Sequence, residues 1–267
     1  NELLKQLEEG VQEVFLSDKF SEWLNFLSKF HDYSFNNTLL IMFQCPHASK
    51  VAGYKTWQKL GRQVKKGSKA IRILAPMIIK KEDEKTGEER SQIVGFRYVN
   101  VFDISQTEGE EVPTLVENVK TESEQAREAL ETLKDWTEGQ ADNVRVIFQE
   151  DTGSSNGYYR YKDENDLQIV VNSNLPLDHK CKTLIHEVAH YLTIDLDNMQ
   201  ERSRSQYEVI AESVAYIVSN YLGFDTSEYS FGYVAGWSMD KDLETLKSVA
   251  ETITKTSQQL IGILNVT

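Results

Sequence analysis

Two histidines and a glutamate lie within the five-residue segment HEVAH, as His186, Glu187 and His190. Residues four apart lie about 40° apart around an α-helix, so both imidazoles can reach one metal ion from the same face. Glu187 lies beside them, where a carboxylate can take a proton from a water molecule that the metal has acidified. The spacing therefore predicts a Zn²⁺ ion bound by His186 and His190, with Glu187 as the general base of a hydrolytic reaction.

A catalytic zinc ion needs a third protein ligand and keeps one position open for water. The extended signature HExxHxxGxxH does not supply that ligand, because Thr193 and Leu196 stand where its glycine and its third histidine would be. Glu208 and Glu212 are better candidates, since the segment EVIAE places them one helical turn apart. By similarity to glutamate-liganded zincins, we assign Glu208 to the metal and Glu212 to a hydrogen bond with a ligand histidine, and the reverse assignment stays the alternative.

The residues around these motifs indicate the elements that carry them. Apolar positions recur at helical spacing over residues 178–193 and 207–222, which predicts two long helices bearing HEVAH and EVIAE. A small antiparallel sheet is expected to precede them. Its predicted strands cover residues 144–149, 157–161 and 167–171, and further helices are predicted over 123–138 and 243–264.

The first part of the chain differs in charge and in periodicity. Residues 1–111 hold 16 Lys and Arg against 16 Asp and Glu, whereas residues 112–267 hold 13 against 26. This asymmetry predicts two domains, 1–111 and 112–267, joined by an irregular linker over 105–121. We expect an α+β chain: N-terminal helices with a β-hairpin or small sheet, then a zincin-like domain with a small antiparallel sheet and an HExxH helix.

A basic segment lies within the first domain, before and along the predicted hairpin strands 70–81 and 92–102. Lys50–Lys81 contains ten basic residues and no acid. Single-stranded nucleic acid is bound by Lys and Arg along its backbone and by aromatic rings that stack on its bases. Tyr54 and Trp57 either stack on bases or pack in the core. The candidate DNA-binding residues are Lys55, Trp57, Lys59, Arg62, Lys65, Lys66 and Lys69.

Several segments resemble the ArdC-type antirestriction proteins of conjugative plasmids and integrative elements. Tyr33–Pro46, Gly53–Pro76 and Val99–Thr107 resemble the family's N-terminal single-stranded-DNA-binding domain. HEVAH, EVIAE and the YVAGW run at Tyr233–Trp237 are similar to its zincin-like metallopeptidase domain. The resemblance implies a mobile-element protein that binds single-stranded DNA and carries a zinc metallopeptidase site. It also implies protection of incoming conjugative DNA from restriction in the recipient cytoplasm.

Two other functions stay open. One alternative is a regulatory metallopeptidase that cleaves a repressor or host protein. The other is a DNA-binding shield whose metal site is catalytically silent. The two cysteines, Cys45 and Cys181, have no CxxC spacing, which favours a reduced cytoplasmic protein without a disulfide framework. No apolar stretch is long enough to span a bilayer, so the expected partners are single-stranded DNA and a protein substrate, and no membrane.

Overall fold

The computed structural model describes residues 2–16, 19–82, 89–112, 122–141, 144–163, 166–194 and 202–265. Contacts between residues divide the chain into two compact units. The hairpin unit comprises Phe35–Leu115, and the helical unit comprises Asn1–Ser34 together with Val116–Thr267. Both units contain helices and strands, which confirms the α+β class predicted from the sequence.

The elements follow one another as the periodicities predict. The helices are α1 (Glu2–Leu16), α2 (Lys19–Lys29), α3 (Phe35–Gln44), α4 (Tyr54–Lys59), α5 (Glu122–Glu138), α6 (Leu177–Thr193), α7 (Arg204–Tyr221), α8 (Gly232–Ser238) and α9 (Leu243–Leu264). The strands are β1 (Val51–Gly53), β2 (Arg62–Val64), β3 (Ile71–Glu82), β4 (Glu89–Asp103), β5 (Thr107–Gly109), β6 (Val144–Gln149), β7 (Gly157–Asp163) and β8 (Asp166–Asn172). None of the helices within the described ranges is both long enough and apolar enough to cross a membrane.

The first two helices pack with the C-terminal helices, so this division differs at its start from the expected 1–111 domain. Helix α1 contacts α8 and α9, and α2 contacts α7. The rings of Phe15 and Trp237 are 6.1 Å apart, and those of Phe20 and Phe231 are 5.6 Å apart. The apolar faces of α1 and α2 are covered within the helical unit because the aromatic partners that bury them lie beyond residue 230.

The hairpin unit is built around the long hairpin of β3 and β4. Strand β4 lies between β1 and β3, and all three are antiparallel to their neighbours. Pairing runs from Ile71 opposite Val101 to Glu82 opposite Glu89, with a bulge after Met77. The charged turn expected between these strands falls largely on residues 83–88, outside the described residues.

The expected linker over 105–121 is ordered at its start. Strand β5 pairs antiparallel with β2, and a 3-10 turn at Ile104–Gln106 connects β4 to β5. Residues 113–121 lie outside the described part of the chain. The hairpin unit therefore extends into the segment that the sequence analysis assigned to a linker.

The sheet of the helical unit has the order β6-β8-β7. Strands β7 and β8 are antiparallel, whereas β6 and β8 are parallel, so the sheet is mixed rather than wholly antiparallel as expected. The cause is topological: β7 reverses the chain at the edge of the sheet, so β8 runs in the same direction as β6 and pairs with it as a parallel neighbour. Helix α6 packs against β7 and β8, which places HEVAH beside the sheet.

Candidate metal centre

Helix α6 positions the HEVAH side chains by burying its opposite face. The residues of that apolar face are Cys181, Leu184, Ile185, Val188 and Ala189, all fully buried. Helix α7 packs closely on α6, and it begins with a capping box in which Ser203 and Gln206 bond reciprocally. The fixed start and the packed face of α7 orient its acidic side chains towards HEVAH.

Three side chains from the two helices meet at one point. Nε2 of His190 lies 3.1 Å from Nε2 of His186. Oε2 of Glu208 lies 3.7 Å from each of these nitrogens. Ligands about 2.0–2.1 Å from a tetrahedral zinc ion are about 3.3 Å from one another. The three atoms therefore have the separations of ligands that share one small cation.

Glu212 does not lie where the atoms of His186, His190 and Glu208 converge, but on the opposite edge of the His186 ring. Its Oε2 is 3.2 Å from Nδ1 of His186. A carboxylate that accepts the Nδ1–H of a histidine fixes the tautomer whose Nε2 lone pair is free for a metal. This geometry favours the assignment of Glu208 to the metal and of Glu212 to the supporting hydrogen bond.

The charges around the site favour a cation. Burial opposes the charged form of His186, but the hydrogen bond with Glu212 and the nearby carboxylates of Glu187 and Glu208 raise its pKa above the ordinary value. The hydrogen bond with His190 lowers the pKa of Glu208 more than burial raises it. The excess of carboxylates over imidazoles gives the centre a negative potential that a divalent cation would neutralise.

Glu187 is buried on the same helix, next to the ligand histidines. Burial raises the pKa of Glu187, although the two histidines and a hydrogen bond from the backbone N–H of Tyr159 act against the increase. A carboxylate with a raised pKa is a better proton acceptor than an exposed one. Its placement beside the three convergent atoms, and not among them, fits a base better than a ligand.

The donor set fits Zn²⁺. Two imidazole nitrogens and one carboxylate oxygen are the three protein ligands of a catalytic zinc site, in which a fourth position is left for water. Among the described residues, the buried Nδ1 of His190 has no hydrogen-bond partner. His186, His190 and Glu208 also form the one group within the described chain whose ligand atoms lie close enough together for a shared ion.

Gly157 is a functional position that the sequence analysis missed. A Cβ atom there would lie 2.6 Å from Cγ2 of Thr183, 2.7 Å from the carbonyl oxygen of Val170 and 3.4 Å from Cγ of Glu187. Glycine thus lets β7 begin directly against α6. A glycine opening a strand after a turn is a sequence signal for such close approach.

Two cavities flank the metal centre and share Gly157, His186 and Glu187 in their walls. One has a volume of about 320 Å³ and also contacts the buried amine of Lys182, which donates to Glu228 Oε1 at 2.8 Å. The other has a volume of about 540 Å³ and reaches β7 and the start of α7. Both cavities therefore adjoin the candidate metal centre at the start of β7.

In the hairpin unit, Trp57 does not take the position that base stacking requires. Its side chain is 2% exposed, and its Nε1 donates to the carbonyl oxygen of Phe102 at 2.9 Å. Tyr54, by contrast, is 42% exposed. The structure corrects the stacking interpretation of Trp57, because an enclosed ring has no face for a base, and assigns it to the core.

The basic candidates divide into two groups. Arg62 donates from Nε to Thr107 Oγ1 at 2.7 Å and from its guanidinium to backbone oxygens of β5 and Glu110, so it holds β2 to β5. Lys65 donates to the carbonyl oxygen of Ser105 at 3.0 Å. The side chains exposed to solvent are Lys55, Lys59, Lys65, Lys66 and Lys69. Arg62 has a structural role, and the exposed lysines form the basic surface.

Two amides of α3 bind the free edge of β3. Asn37 exchanges hydrogen bonds of 2.9 and 2.8 Å with the backbone of Leu74. Gln44 does the same with the backbone of Arg72, at 2.9 Å in both directions. These side chains take the place of a neighbouring strand, so their amides are engaged with the protein.

Comparison with known proteins matches each half of the chain to a family model. Residues 1–102 match the N-terminal domain of anti-restriction factor ArdC. Residues 141–224 match a peptidase-family model described as the IrrE N-terminal-like domain. The second match contains HEVAH, Glu208 and Glu212.

Two solved structures share the fold. The metal-free crystal structure of the antirestriction ArdC protein from plasmid R388 aligns with a TM-score of 0.52 and 20% identity, covering 88% of this chain and 86% of that one. The Mn(II)-bound structure of that protein aligns with a TM-score of 0.55 and 17% identity, covering 96% and 97%. At this identity the likeness establishes a common fold.

A curated Bacillus anthracis protein, the uncharacterized protein pXO2-81, is 28% identical over 281 aligned positions. The alignment covers 91% of this chain and 47% of that protein. The chain thus spans about half the length of the curated relative that it matches.

Proposed function

Because the chain joins an ArdC N-terminal domain to an IrrE N-terminal-like peptidase domain, the organisation of the ArdC-type antirestriction proteins, we propose a DNA-binding zinc metallopeptidase. The carrying observation is the convergence of His186, His190 and Glu208, with Glu212 behind the first histidine. In this proposal the hairpin unit holds single-stranded DNA, and the helical unit hydrolyses peptide bonds. The protein would act in a recipient cytoplasm, where it would protect incoming DNA from restriction.

The proposed reaction uses residues with separate tasks. When bound, Zn²⁺ supplies an acidified water and polarises the substrate carbonyl. Glu187 takes the proton of that water and passes it to the departing amine. Glu212 keeps the ring of His186 in the tautomer that binds metal, and the cavities beside Gly157 hold the peptide on each side of the cleaved bond.

Zinc is proposed because of the ligand chemistry. Tetrahedral sites with imidazole and one carboxylate suit Zn²⁺, whereas Mn²⁺ favours more oxygen ligands and a larger coordination number. The related R388 protein binds Mn(II) in its crystal structure, so its fold accommodates a divalent cation. We expect Zn²⁺ to displace Mn²⁺ when both are offered to this chain at equal concentration.

Peptide hydrolysis is tested with the zinc-loaded full chain and Glu187→Gln. A mixed peptide library is incubated with each protein, with and without single-stranded DNA, and new termini are identified by mass spectrometry. Cleavage by the wild type and none by Glu187→Gln is expected, because the substitution removes the base and keeps every proposed ligand. Equal cleavage by both would reject Glu187 as the base, and cleavage by neither would favour a DNA-binding shield with a silent metal site.

DNA binding is proposed on the exposed lysines around β2 and on the acid-free segment that contains them. Lys55, Lys59, Lys66 and Lys69 are exposed, and no acidic residue lies between Lys50 and Lys81. Lysines hold a single strand through its phosphates without reading its sequence. Retention of the chain on single-stranded DNA at low salt, with release at high salt, tests this half of the proposal.

A further inference from the structure

The β3–β4 hairpin exposes large apolar side chains to solvent. Among the described residues of these two strands, seven are 37–61% exposed: Met77, Ile78, Ile79, Ile93, Val94, Phe96 and Tyr98. Contiguous exposed apolar surface is uncommon on a protein without a binding role. Two of the seven are aromatic, and Phe96 has the largest exposed fraction.

The register places both aromatic rings on one face. Tyr98 pairs with Leu74 and Phe96 pairs with Pro76, and directly paired residues of antiparallel strands share a face. Arg72, which pairs with Asn100, lies on this same face by alternation. We call the surface that carries Arg72, Phe96 and Tyr98 the aromatic face. The other face holds the buried Ile71, Ile73 and Val101.

Around its two rings, the aromatic face has a cation and no anion. The guanidinium carbon of Arg72 lies 5.0 Å from the centre of the Tyr98 ring, within the range of a cation–π interaction. Over the stretch of this face from Arg72 to Ile78, whose partners on β4 are Asn100, Tyr98, Phe96 and Ile93, no residue is acidic. The position of Arg72 is fixed, because Gln44 holds its backbone in both directions. The guanidinium is thus held over one face of the Tyr98 ring.

The spacing of the rings suits a nucleic acid strand. Residues two apart on a strand are about 6.8 Å apart, about twice the 3.4 Å step between stacked bases. Aromatic side chains on an exposed sheet face stack two or three bases in known nucleic-acid-binding modules. An apolar protein surface would match the apolar groups but would leave the guanidinium of Arg72 without a counter-charge, which a phosphate supplies.

We propose that the aromatic face is the base-stacking surface for single-stranded DNA, with bases on Phe96 and Tyr98 and a phosphate on Arg72. The inference rests on the proposed DNA binding and deepens it by naming the surface. It assigns stacking to residues outside the lysine-rich segment around β2. The exposed lysines hold the backbone of the strand, and Trp57 supports the unit from inside.

The first test measures binding of the full chain to a labelled oligo(dT) by fluorescence anisotropy. Phe96→Ala and Tyr98→Ala are each expected to weaken binding roughly fivefold or more, because each removes one stacked base. Met77→Ala is the matched control: it lies on the opposite face of the same hairpin and is 41% exposed. It is expected to leave affinity unchanged. The losses should disappear on an oligonucleotide of abasic sites, which keeps phosphates and lacks bases.

A second test uses the unaltered chain and so does not depend on the folding of a variant. Oligonucleotides carrying 5-iododeoxyuridine are irradiated in complex with the wild type, and the linked peptide is sequenced by mass spectrometry. Cross-links at Phe96 or Tyr98 are expected. Cross-links confined to other residues, with unchanged affinity of both alanine variants, would overturn the aromatic face and leave the proposed DNA binding intact.

Two further outcomes distinguish a failure of the proposed DNA binding from a failure of the aromatic face as its stacking surface. A wild type that fails to bind oligo(dT) at low salt would overturn the proposed function itself. Sedimentation that shows a dimer for the wild type and a monomer for Phe96→Ala, with equal DNA affinity, would assign the face to self-association and overturn the inference.

Discussion

Nδ1 of His186 lies 3.2 Å from Oε2 of Glu212, on the side of the imidazole ring away from Glu208. One ring nitrogen is thereby committed to a carboxylate and the other to the point where His190 and Glu208 converge. Two glutamates that are four residues apart on α7 thus have different tasks at the same histidine.

The metal content tests the ligand set. We expect about one zinc per chain in the wild type and none in His186→Ala/His190→Ala, because a single carboxylate does not retain Zn²⁺. Inductively coupled plasma mass spectrometry after dialysis measures this. His179→Ala is the control, since His179 lies on α6 beside Glu228, 3.6 Å away, and not at the convergence. Full zinc content in the double variant would remove the site assignment.

The two glutamates should differ in their effect on zinc affinity. Glu212→Ala is expected to weaken it about 10–100-fold, the usual effect of losing a partner behind a ligand histidine. Glu208→Ala should weaken it more, because it removes a ligand. Competition with a chromophoric chelator gives both constants. The opposite ranking would exchange the roles of the two residues.

Substitution of Gly157 should disturb the candidate metal centre, because it displaces β7 from its contact with α6. In Gly157→Ala the new methyl group would lie 2.6 Å from Cγ2 of Thr183 in α6 and 2.7 Å from the carbonyl oxygen of Val170 in β8, so β7 must shift away from both. We expect a loss of about 1–3 kcal/mol in the free energy of unfolding, the usual cost of overpacking, with weaker zinc binding.

The control for this change is Gly262→Ala in α9, where a methyl group meets nothing within 4 Å. That variant should be stabilised by up to about 1 kcal/mol, because alanine favours a helix over glycine. Urea denaturation measures both variants. An undisturbed Gly157→Ala protein would mean that β7 and α6 are not in the close contact described here.

The lowered pKa of Asp103 predicts that the stability of the hairpin unit depends on pH. Burial opposes its ionisation, but hydrogen bonds from Ser105, Ser49 and Lys50 outweigh burial and lower its pKa below the ordinary 3.8. A lowered pKa in the folded state means that the stabilisation is present above the unfolded value and is lost as pH falls through the folded one. Asp103→Asn should therefore cost about 1–3 kcal/mol at pH 7 and progressively less below pH 4.

The measurement is urea denaturation of the wild type and Asp103→Asn at pH 7 and at pH 3. A stability difference that is the same at both values would show that the charge of Asp103 contributes nothing. Asp240→Asn serves as the matched control. The carboxyl group of Asp240 is exposed in the turn after α8, pairs with the neighbouring Lys241, and accepts no hydrogen bond from the backbone of another element.

The salt dependence of DNA binding should distinguish the contribution of the lysines from that of the aromatic rings. Binding to a single strand weakens with salt by about 0.7 logarithmic units per phosphate contact for each tenfold increase. Lys66→Ala/Lys69→Ala is expected to reduce that slope by about 1.4, because both side chains are exposed on the basic surface. Anisotropy titrations at several NaCl concentrations give the slope. An unchanged slope would place the phosphate contacts elsewhere.

The sequence predicted most helices and the hairpin because their periodicities are long and regular. Helix α9 covers Leu243–Leu264, the range predicted, and α6 begins one residue from its predicted start. The placement of His186 and His190 on one face of α6 followed from spacing alone, since i and i+4 side chains share a helix face. The convergence of Glu208 on them required the packing of α6 against α7, which no local pattern contains.

What the sequence did not predict depends on contacts between distant residues. The burial of Trp57 depends on a hydrogen bond to Phe102, 45 residues away. The mixed sheet arises because β6 pairs with β8 and not with β7, the strand that follows it in sequence. Asn37 and Gln44 resemble DNA-contacting amides in a sequence, and only their position at the edge of β3 shows that they complete a sheet.

The helical unit is interrupted in sequence by the hairpin unit, which affects its assembly on the ribosome. The hairpin unit is continuous, so all of its strands are available once residue 115 has left the exit tunnel. Phe15 and Phe20 emerge before the hairpin unit, yet their partners Trp237 and Phe231 are made more than 200 residues later. At about 5–20 residues per second, that interval is about 10–40 s. During this time α1 and α2 expose aromatic surface that a nascent-chain chaperone would bind.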